Sequence, residues 1–322
     1  MAMISDKPKL VTVFGGNGFL GRYVVQALAR RGYRVRVACR DPHTAIHVTL
    51  IGAVGQVHPI QANLRYRWSI DRAVAGADHV INLVGILHES GRQNYGALHV
   101  AGARAVAEAA RAAGATLSHT SAIGADLESP AGYGRSKAQG ERAVLQAMPD
   151  AVIMRPSIVF GQEDQFFNRF ANMARFAPFL PLIGGGHTKF QPVYVGDVAE
   201  AFARSADGQL QPGIYELGGP QVLTFRECME EMLEIVGRKK RLVSIPWSVA
   251  RIQASILGLL PKPILTTDQV KLLQVDNIVS EEARQSGRTL EGMGVTPHSL
   301  QAILPTYLWT YRQSGQFTQP EA

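Results

Sequence analysis

The chain has 322 residues, of which 46% are hydrophobic and 18% are charged, the balance expected of a globular protein. Its net charge of +7 comes from scattered arginines rather than a basic tail, which favours an anionic ligand or surface and argues against a nucleic-acid partner. Two cysteines are too few for a disulfide framework, no run of about 18 apolar residues predicts a membrane span, and the start MAMISDKPKL lacks the pattern of a signal peptide.

Strand-like and helix-like segments alternate through the first half of the chain. Apolar and β-branched runs predict strands over LVTVFG, YRVRVACR, GQVHPIQA, HVINLVG, ATLSHTSAIG and AVIMRPSIVFG. Apolar residues at helical spacing predict helices over RYVVQALARRG (closed by Gly32), VAGARAVAEAARAAG and YGRSKAQGERAVLQAM. Strands that alternate with helices predict an α/β protein with a Rossmann-type, doubly wound parallel sheet.

The second half is less regular and predicts a smaller, mainly helical C-terminal domain. Three helix starts carry a capping-box pattern, in which a residue that can cap is followed three places later by Glu or Gln. The pairs are Asp197 with Glu200, Thr224 with Glu227, and Thr266 with Gln269. We expect a dinucleotide-binding domain over 1–160, with strands contributed from about 190–220, and a substrate or partner domain over 161–322.

The stretch GGNGFLG lies at the first predicted turn from strand to helix. Its glycines Gly15, Gly18 and Gly21 are three apart, and Gly16 also allows the reading G-x-G-x-x-G. Glycines at this place permit a tight turn and a close approach of the backbone to a pyrophosphate, which meets the amino terminus of the helix. The alternative is a glycine-rich turn without a ligand, but the position after a strand favours a dinucleotide site.

The end of the second predicted strand bears on the choice of dinucleotide. A site for NAD usually places a carboxylate there, which accepts a hydrogen bond from the ribose 2′-hydroxyl. In VACRDP the aligned position is Cys39, followed by Arg40, and Asp41 comes two places late and fits an Asp-Pro turn. Because the Arg40 guanidinium suits a 2′-phosphate, we predict NADP(H) in preference to NAD(H). The alternative is a surface arginine.

Tyr133 and Lys137 in YGRSK are four residues apart, which places them one turn apart on a helix. A phenol with a pKa near ~10 is a poor acid or base at neutral pH unless a nearby cation stabilises the phenolate. Lys137 can supply that cation and lower the pKa of Tyr133. Ser121, at the end of the fifth strand, can donate a hydrogen bond to a substrate carbonyl. We therefore predict Ser121, Tyr133 and Lys137 as catalytic residues.

The chain resembles the short-chain dehydrogenase/reductase superfamily in its extended or atypical branch, the NAD-dependent epimerase/dehydratase type. The stretches that carry this resemblance follow one another in the family's order: GGNGFLG, INLVG, SHTSAIG, YGRSK and RPSIVFG. The resemblance implies contacts with a nicotinamide dinucleotide. On the pyrophosphate side these are Gly15, Asn17, Gly18, Phe19 and Leu20, and on the adenine and adenosine side Asn63, Leu64, Leu83, Val84 and Gly85. At the nicotinamide and its ribose they are Tyr133, Lys137, Pro156 and Ile158.

Four longer stretches are similar to the SDR-type accessory subunit of respiratory complex I (NADH:ubiquinone oxidoreductase) and its bacterial relatives. They are FLGRYVVQALARRGYRVRVACRDP, RPSIVFGQEDQFFNRFA, FQPVYVGDVAEAF and KPILTTDQVKLLQVDNIVS, and they extend over nearly the whole chain. The resemblance implies tightly bound NADPH without a known turnover. It also implies partners among complex I subunits, or a membrane surface contacted by the C-terminal half. The location it implies is cytoplasmic and peripheral, on the cytoplasmic face of the inner membrane.

The residues leave three functions open. Mitochondrial members are generally described as having a degraded Tyr/Lys pair, whereas Ser121, Tyr133 and Lys137 all stand in this chain. The first function is an accessory protein of the complex I type with tightly bound NADP(H). The second is an active NADP(H)-dependent oxidoreductase or epimerase acting on a small carbonyl or sugar-like substrate. The third is a nucleotide-sensing regulator without catalysis.

The stretch WSVARIQASILGLL predicts a helix with an unusual apolar side. Val249, Ile252, Ile256 and Leu259 share that side at helical spacing. Such a side suits a membrane surface or a partner subunit, and it equally suits core packing within the second domain.

Two further groups of residues predict no site of their own. RKKR, Arg238 to Arg241, follows a predicted helix that ends at Gly237. Cations at this end interact favourably with the helix dipole, and the alternative is a patch that binds an anion. His43 and His47 are four residues apart but lack a third ligand at a recognisable spacing, so we predict no metal site.

Overall fold

The computed structural model describes residues 8–258 and 265–313 of the chain. These residues form two compact units. The first contains 8–121, 136–155 and 198–215, and the second contains 122–135, 156–197, 216–258 and 265–313.

The strands, in chain order, are β1 (Leu10–Phe14), β2 (Arg34–Cys39), β3 (Val57–Gln61), β4 (His79–Asn82), β5 (Thr116–Thr120), β6 (Val152–Pro156), β7 (Val159–Phe160), β8 (Phe179–Ile183), β9 (Lys189–Phe190), β10 (Val193–Tyr194), β11 (Gly213–Leu217), β12 (Leu223–Thr224) and β13 (Arg241–Ile245). The α-helices are α1 (Phe19–Arg30), α2 (Arg67–Val74), α3 (Ala103–Ala112), α4 (Gly132–Ala147), α5 (Phe167–Phe176), α6 (Val195–Ala206), α7 (Phe225–Ile235), α8 (Trp247–Leu257), α9 (Thr267–Leu272), α10 (Glu281–Gln285), α11 (Leu300–Ile303) and α12 (Pro305–Leu308). Short 3₁₀ segments cover Pro42–Leu50, Gly184–Gly186 and Trp309–Tyr311, and a π-helical turn, Gly96–Gly102, leads into α3.

The main sheet of the described residues has seven strands in the order β11-β6-β5-β4-β1-β2-β3, and the pairs from β6 to β3 are parallel. The central strands β1 and β4 are buried along nearly their whole length, as expected of parallel strands covered on both faces. Val13 is fully buried and pairs with Val37 on one side and Ile81 on the other. The strand order reverses between β1 and β4, and ligands of such sheets bind at the carboxyl ends of the strands at this point. The predicted α/β fold is confirmed.

Helix α1 packs on the sheet through one apolar side. Val24, Val25 and Leu28 are buried, and the helix ends at Arg30. Gly32 follows with a φ of +80°, a left-handed conformation that glycine adopts without strain and that stops a helix. The predicted end of this helix is confirmed.

Local details of the first half differ from the sequence prediction. The single strand expected over AVIMRPSIVFG is wrong: the chain leaves the large sheet after Pro156, and β7 pairs with β10 instead. The segments Pro42–Leu50 and Arg67–Val74 are helical, although the sequence indicated no helix there. Both are short, so their apolar residues do not repeat often enough to give a clear helical period.

The second unit is built around a core rich in phenylalanine. Phe160, Phe167, Phe190 and Phe225 are all nearly or fully buried, and the rings of Phe160 and Phe167 meet edge to face with centroids 5.9 Å apart. Around them lie the small sheets β7–β10, β8–β13 and β9–β12 and the helices α5, α7, α11 and α12. The capping boxes predicted at the starts of α7 and α9 are confirmed.

Helix α8 leaves much of its apolar surface uncovered in this unit. Ala250 and Ala254 are buried, whereas Ile252 and Ile256 are each 64% exposed. Leu259, which the sequence assigned to the same side, lies outside the described residues. The isoleucines are therefore not core residues of the second unit.

Candidate functional site

The turn between β1 and α1 has a backbone conformation that side-chain-bearing residues rarely adopt. Gly15 has a φ of +79°, and its carbonyl accepts a hydrogen bond from the amide of Gly18 at 3.0 Å. A Cβ on Gly21 would lie 2.2 Å from the Gly15 carbonyl oxygen, so a side chain is excluded there. Helix α1 then begins at Phe19 with Gly18 as its N-cap, and no side chain of the described residues caps it. The first amides of α1, including those of Phe19 and Leu20, are placed to receive an anion.

The loop after β4 lies against this turn. The amide of Leu83 donates to the carbonyl of Phe14 at 3.0 Å, and the amide of Val84 donates to the side-chain oxygen of Asn82 at 3.1 Å. A Cβ on Gly15 would be 3.5 Å from the backbone carbon of Leu83 and from a methyl group of Val84. The structure therefore brings the glycine turn and the predicted adenosine-side loop together at the carboxyl ends of β1 and β4.

Gly85 continues that loop toward a buried lysine. A Cβ on Gly85 would lie 3.5 Å from Nζ of Lys137 and 3.6 Å from Nε2 of His99. Lys137 is 5% exposed, and its Nζ donates to the carbonyl of Thr120 at 2.9 Å. Burial lowers the pKa of this ammonium group to about 8, while the Glu141 carboxylate opposes the shift.

The end of β2 carries an exposed arginine and a carboxylate that already accepts a hydrogen bond. Arg40 is exposed, whereas Cys39 is buried. The Asp41 carboxylate accepts from the amide of His43 at 3.0 Å and so caps the Pro42–Leu50 segment. The amide group of Asn17 lies 3.4 Å from the Thr44 hydroxyl, which places this residue of the glycine turn beside the same segment.

The residues predicted to face adenine make contacts within the first unit. The side-chain oxygen of Asn63 accepts from the amide of Arg65 at 3.1 Å, and the amide of Asn63 donates to the Ser69 hydroxyl at 3.0 Å. Leu64 is 8% exposed and belongs to the core beside the main sheet, where it packs against Gly102. An adenine contact by Asn63 and Leu64 stays a prediction.

Ser121 follows β5, and its amide donates to the carbonyl of Met154 at 2.7 Å. Its hydroxyl oxygen is buried and has no hydrogen-bond partner among the described residues, and the same is true of the hydroxyl oxygen of Thr120. Buried hydroxyls are nearly always hydrogen-bonded in native proteins. Two such groups at the end of a central strand fit a polar ligand that supplies their partners.

Tyr133 and Lys137 stand one turn apart on α4, as predicted. The ring of Tyr133 is half-buried, but its hydroxyl is deep, and burial raises its pKa to about 12. The expected lowering of this pKa by Lys137 is therefore absent in the protein alone, because desolvation of the phenolate dominates. At neutral pH Tyr133 carries its proton.

The predicted nicotinamide contacts at the end of β6 belong to the second unit. The carbonyl of Pro156 accepts from the amide of Ile123 at 3.1 Å. Ile158 packs against the phenylalanine-rich core, and its carbonyl accepts from the amide of Val193 at 2.9 Å. Contacts of Pro156 and Ile158 with a nicotinamide stay a prediction.

Residues 11–218, well over half of the chain, match the model of the NAD dependent epimerase/dehydratase family. The chain belongs to this family. Its members bind a nicotinamide dinucleotide, and the glycine turn, the uncapped start of α1 and the unpaired hydroxyls fit such a group. The predicted resemblance to the extended dehydrogenases and epimerases is confirmed.

Relatives within the epimerase/dehydratase family include respiratory subunits. The chain is 38% identical to the mitochondrial NADH dehydrogenase (ubiquinone) 1 alpha subcomplex subunit 9 of Arabidopsis thaliana, over 95% of this chain and 79% of that protein. It is 30% identical to the NADH-ubiquinone oxidoreductase 40 kDa subunit of Neurospora crassa, over 97% and 82%. A ceramide reductase of Caulobacter vibrioides is 32% identical over 76% of each chain. The predicted similarity to complex I accessory subunits is confirmed.

A solved epimerase shares the fold. The UDP-glucose 4-epimerase of Thermotoga maritima, solved with UDP-glucose, superposes with a TM-score of 0.71 over 93% of this chain and 97% of its own. At 17% identity this likeness concerns the fold alone.

His99 is a site residue that the sequence did not reveal. Its Nε2 accepts from the amide of Ile86 at 3.0 Å, so the ring proton is assigned to Nδ1, which donates to the Ser136 hydroxyl at 2.8 Å. Burial and the Lys137 ammonium lower its pKa to about 3, which keeps the ring neutral. Its partners are 13 and 37 residues away, so no local pattern marks it.

The capping box expected for Asp197 with Glu200 is wrong. Asp197 lies in the first turn of α6, but its carboxylate accepts from the amide of His298 at 2.7 Å and contacts Nδ1 of the same histidine at 2.6 Å. Glu200 instead pairs with Arg31 and Arg204. Packing against a distant segment has replaced the local cap.

Neither a metal centre nor a spanning helix is found in the described parts of this family member. His43 and His47 are both exposed on the Pro42–Leu50 segment. Residues 8–258 and 265–313 bring no three His, Cys, Asp or Glu side chains together as ion ligands. The helices over the same residues are too short or too polar to cross a membrane.

Proposed function

We propose that this protein is an NADP(H)-binding accessory protein of the complex I type that retains its cofactor tightly. The observation that carries the proposal is the glycine turn at the carboxyl end of β1, in a chain similar to respiratory accessory subunits over most of its length. Any ligand that binds only the native state stabilises it, by about 4 kcal/mol at a thousand times its dissociation constant. Bound NADP(H) would thereby act as a structural part of the protein.

The preference for NADP(H) is argued from the end of β2. One oxygen of the Asp41 carboxylate caps the following segment, and Asp41 stands two places after the position where a site for NAD usually has its carboxylate. Arg40 is the exposed group at the strand end, and a guanidinium can hold a 2′-phosphate with two hydrogen bonds. Asn17 approaches the same segment from the glycine turn.

Each predicted contact has a task in this proposal. The amides at the start of α1, from Phe19 and Leu20, hold the pyrophosphate, while Leu83 to Gly85 line the adenosine side. Lys137 binds the nicotinamide ribose, and Pro156 and Ile158 pack beside the nicotinamide. When bound, the nicotinamide supplies hydride chemistry, and the accessory role leaves it unused.

The test starts from the nucleotide that the purified protein carries. Denaturation releases it for identification, and a chase of the native protein with excess free cofactor measures exchange. We expect NADPH near one per chain with slow exchange. Arg40→Asp should weaken NADPH binding at least tenfold and leave NADH binding less affected. Arg34→Asp, at the opposite end of β2, is the matched control. Bound NAD(H), or equal losses in both variants, would contradict the NADP assignment.

Catalysis is the second candidate, because the Ser121 hydroxyl is buried without a partner and Tyr133 and Lys137 are intact. Tyr133 would donate its proton to a substrate carbonyl oxygen. Because burial raises the pKa of its hydroxyl to about 12, this role requires a cation that brings the pKa down again, and Lys137 one turn along α4 is the candidate. Ser121 would hold that oxygen by a hydrogen bond. The similarity to a ceramide reductase adds weight to a reductase in particular. Fast cofactor exchange together with turnover that Tyr133→Phe abolishes, while NADPH still binds, would favour this function.

Docking in the accessory role is assigned to the C-terminal half. Ile252 and Ile256 present an apolar side on α8. Arg238 to Arg241 line a shallow basic cavity of about 660 Å³ in the same unit. An apolar side and a group of cations in one unit suit a subunit at an anionic membrane. The proposed location is peripheral, on the cytoplasmic face of the inner membrane.

A double substitution tests this docking. Ile252→Glu with Ile256→Glu should lower binding to membranes that contain complex I at least tenfold, because two charges replace the exposed apolar groups. Nucleotide content should stay unchanged. The control is Leu50→Glu, at an apolar and still more exposed position of the first unit. Sedimentation with membrane vesicles measures binding, and wild-type binding by the double variant would refute this surface.

A further inference from the structure

The start of α4, which carries Tyr133, is held by a carboxylate from the far end of the chain. The amide of Gly132 donates to one oxygen of Asp268 at 2.6 Å, and the amide of Tyr133 donates to the other at 2.9 Å. The first amides of a helix have no partner within it, and negative charge there is stabilising. A single side chain therefore caps α4 from 135 and 136 residues away.

Asp268 is itself presented by a fixed turn. It lies in the first turn of α9, where the Thr266 hydroxyl accepts from the amide of Gln269 at 3.1 Å and the Gln269 side chain accepts from the amide of Thr266 at 3.0 Å. Val270 is fully buried against Ala250 of α8. The capping box and the packed valine leave little freedom to the Asp268 carboxylate.

A second side chain from the same segment holds the other end of the loop that leads to Tyr133. The side-chain amide of Asn277 donates to the carbonyl of Ile123 at 3.0 Å, and its oxygen accepts from the Ser157 hydroxyl at 2.6 Å. Ile123 is two residues after Ser121, and Ser157 directly follows Pro156. The chain from 123 to 133 is thus fastened at both ends by residues 266–277.

We propose that Asp268, together with Asn277, is a positioning residue that fixes the backbone of Tyr133 toward the nicotinamide end of bound NADP(H). The proposal rests on the proposed cofactor. Neither side chain reacts: Asp268 acts through the Gly132 and Tyr133 amides, and Asn277 through the Ile123 carbonyl. Retention of the nucleotide then depends on the segment 266–277, although the glycine turn lies at the opposite end of the sequence.

The experiment uses the full-length protein with its nucleotide and three variants. Asp268→Ala removes both acceptors, and Asp268→Asn keeps one. Asp276→Asn is the matched control, because this carboxylate of the same segment accepts instead from the amide of Lys189 at 2.8 Å. We call the two hydrogen bonds from the Gly132 and Tyr133 amides to Asp268 the clamp. Hydrogen exchange of these two amides measures whether the clamp is formed. The fluorescence emission and the displacement rate of bound NADPH measure how firmly the nicotinamide end is held. Thermal midpoints identify any variant that fails to fold.

We expect Asp268→Ala to speed amide exchange at Gly132 and Tyr133 at least tenfold and NADPH displacement at least fivefold. Asp268→Asn should fall between it and the wild type, and Asp276→Asn should match the wild type in both measurements. Unchanged exchange in Asp268→Ala, or equal acceleration in Asp276→Asn, overturns the clamp. Faster exchange with unchanged NADPH emission and displacement overturns the positioning role. A wild-type protein that holds no NADPH contradicts the proposed cofactor instead, and amide exchange then decides on the clamp alone.

Discussion

At the scale of a single residue, Lys137 is buried, and burial disfavours the charged form of its side chain. Burial lowers its pKa from 10.5 to about 8. Below pH 8 the folded and the unfolded chain both carry the ammonium group, but only the unfolded chain solvates it fully. The burial is therefore unfavourable by about 3 kcal/mol at pH 7, and this penalty fades as the pH rises from 8 toward 10.5. A ligand that pairs with the ammonium group would explain its retention.

Replacing Lys137 by methionine tests this conflict. Lys137→Met keeps the apolar stem, so we expect the nucleotide-free protein to gain about 1–3 kcal/mol of stability at pH 7, after the loss of the hydrogen bond to Thr120. The gain should shrink by about 2 kcal/mol at pH 9.5, where folded wild type has released the proton. Urea unfolding at both pH values measures it, with the exposed Lys271→Met as control. If the stability difference between Lys137→Met and the wild type were the same at both pH values, Lys137 would not be a buried charge with a lowered pKa.

At the scale of an element, the β1–α1 turn depends on one missing side chain. A Cβ on Gly21 would lie 2.2 Å from the Gly15 carbonyl and 2.6 Å from Cα of Gly16, so Gly21→Ala must push α1 away from the turn. We expect a loss of about 2–3 kcal/mol in the free energy of unfolding and loss of the bound nucleotide. Thermal unfolding and the nucleotide content of the purified variant measure both effects.

The control for that variant is Gly96→Ala. There the nearest atom, the Asn94 side-chain oxygen, would lie at an ordinary 3.6 Å from the new Cβ. Gly96→Ala should therefore keep the nucleotide. Wild-type nucleotide content in Gly21→Ala would show that the turn tolerates a side chain and is not the pyrophosphate site.

Elements that depend on near neighbours in sequence were the predictable ones. The glycine turn, the stop at Gly32 and the capping box at Thr224 all join residues a few places apart, so their spacing is visible in the sequence. Asp197 has the same local pattern, yet it bonds to His298, 101 residues later. Asp268 caps a helix more than a hundred residues before it. Tertiary packing determines such partners, and the sequence near either residue contains no periodicity or spacing that predicts them.

At the scale of the whole molecule, three buried histidines make the first unit sensitive to acid. His79, His99 and His119 are at most 3% exposed. Burial lowers their pKa values to about 4, 3 and 3, and the Lys137 ammonium adds to the effect at His99 and His119. Unfolded histidine has a pKa near ~6.5, so between pH 6.5 and about 4 the unfolded chain binds more protons than the folded one. The stability that depends on these histidines is therefore present above pH 6.5 and is lost as the pH falls toward 4.

At pH 5 each of these histidines should lower the free energy of unfolding by about 2 kcal/mol, and the three together by about 6 kcal/mol. The whole free energy of unfolding of a typical native protein is about 5–15 kcal/mol. We therefore expect the free energy of unfolding, measured with urea between pH 7.5 and 5, to fall ever more steeply, toward about 4 kcal/mol per pH unit. His79→Gln should remove about a third of that slope, whatever it does to stability at pH 7.5, because one titrating group is gone. The exposed His47→Gln should leave the slope unchanged. Equal slopes in His79→Gln and wild type would mean that His79 takes up its proton over the same pH range in the folded and the unfolded chain.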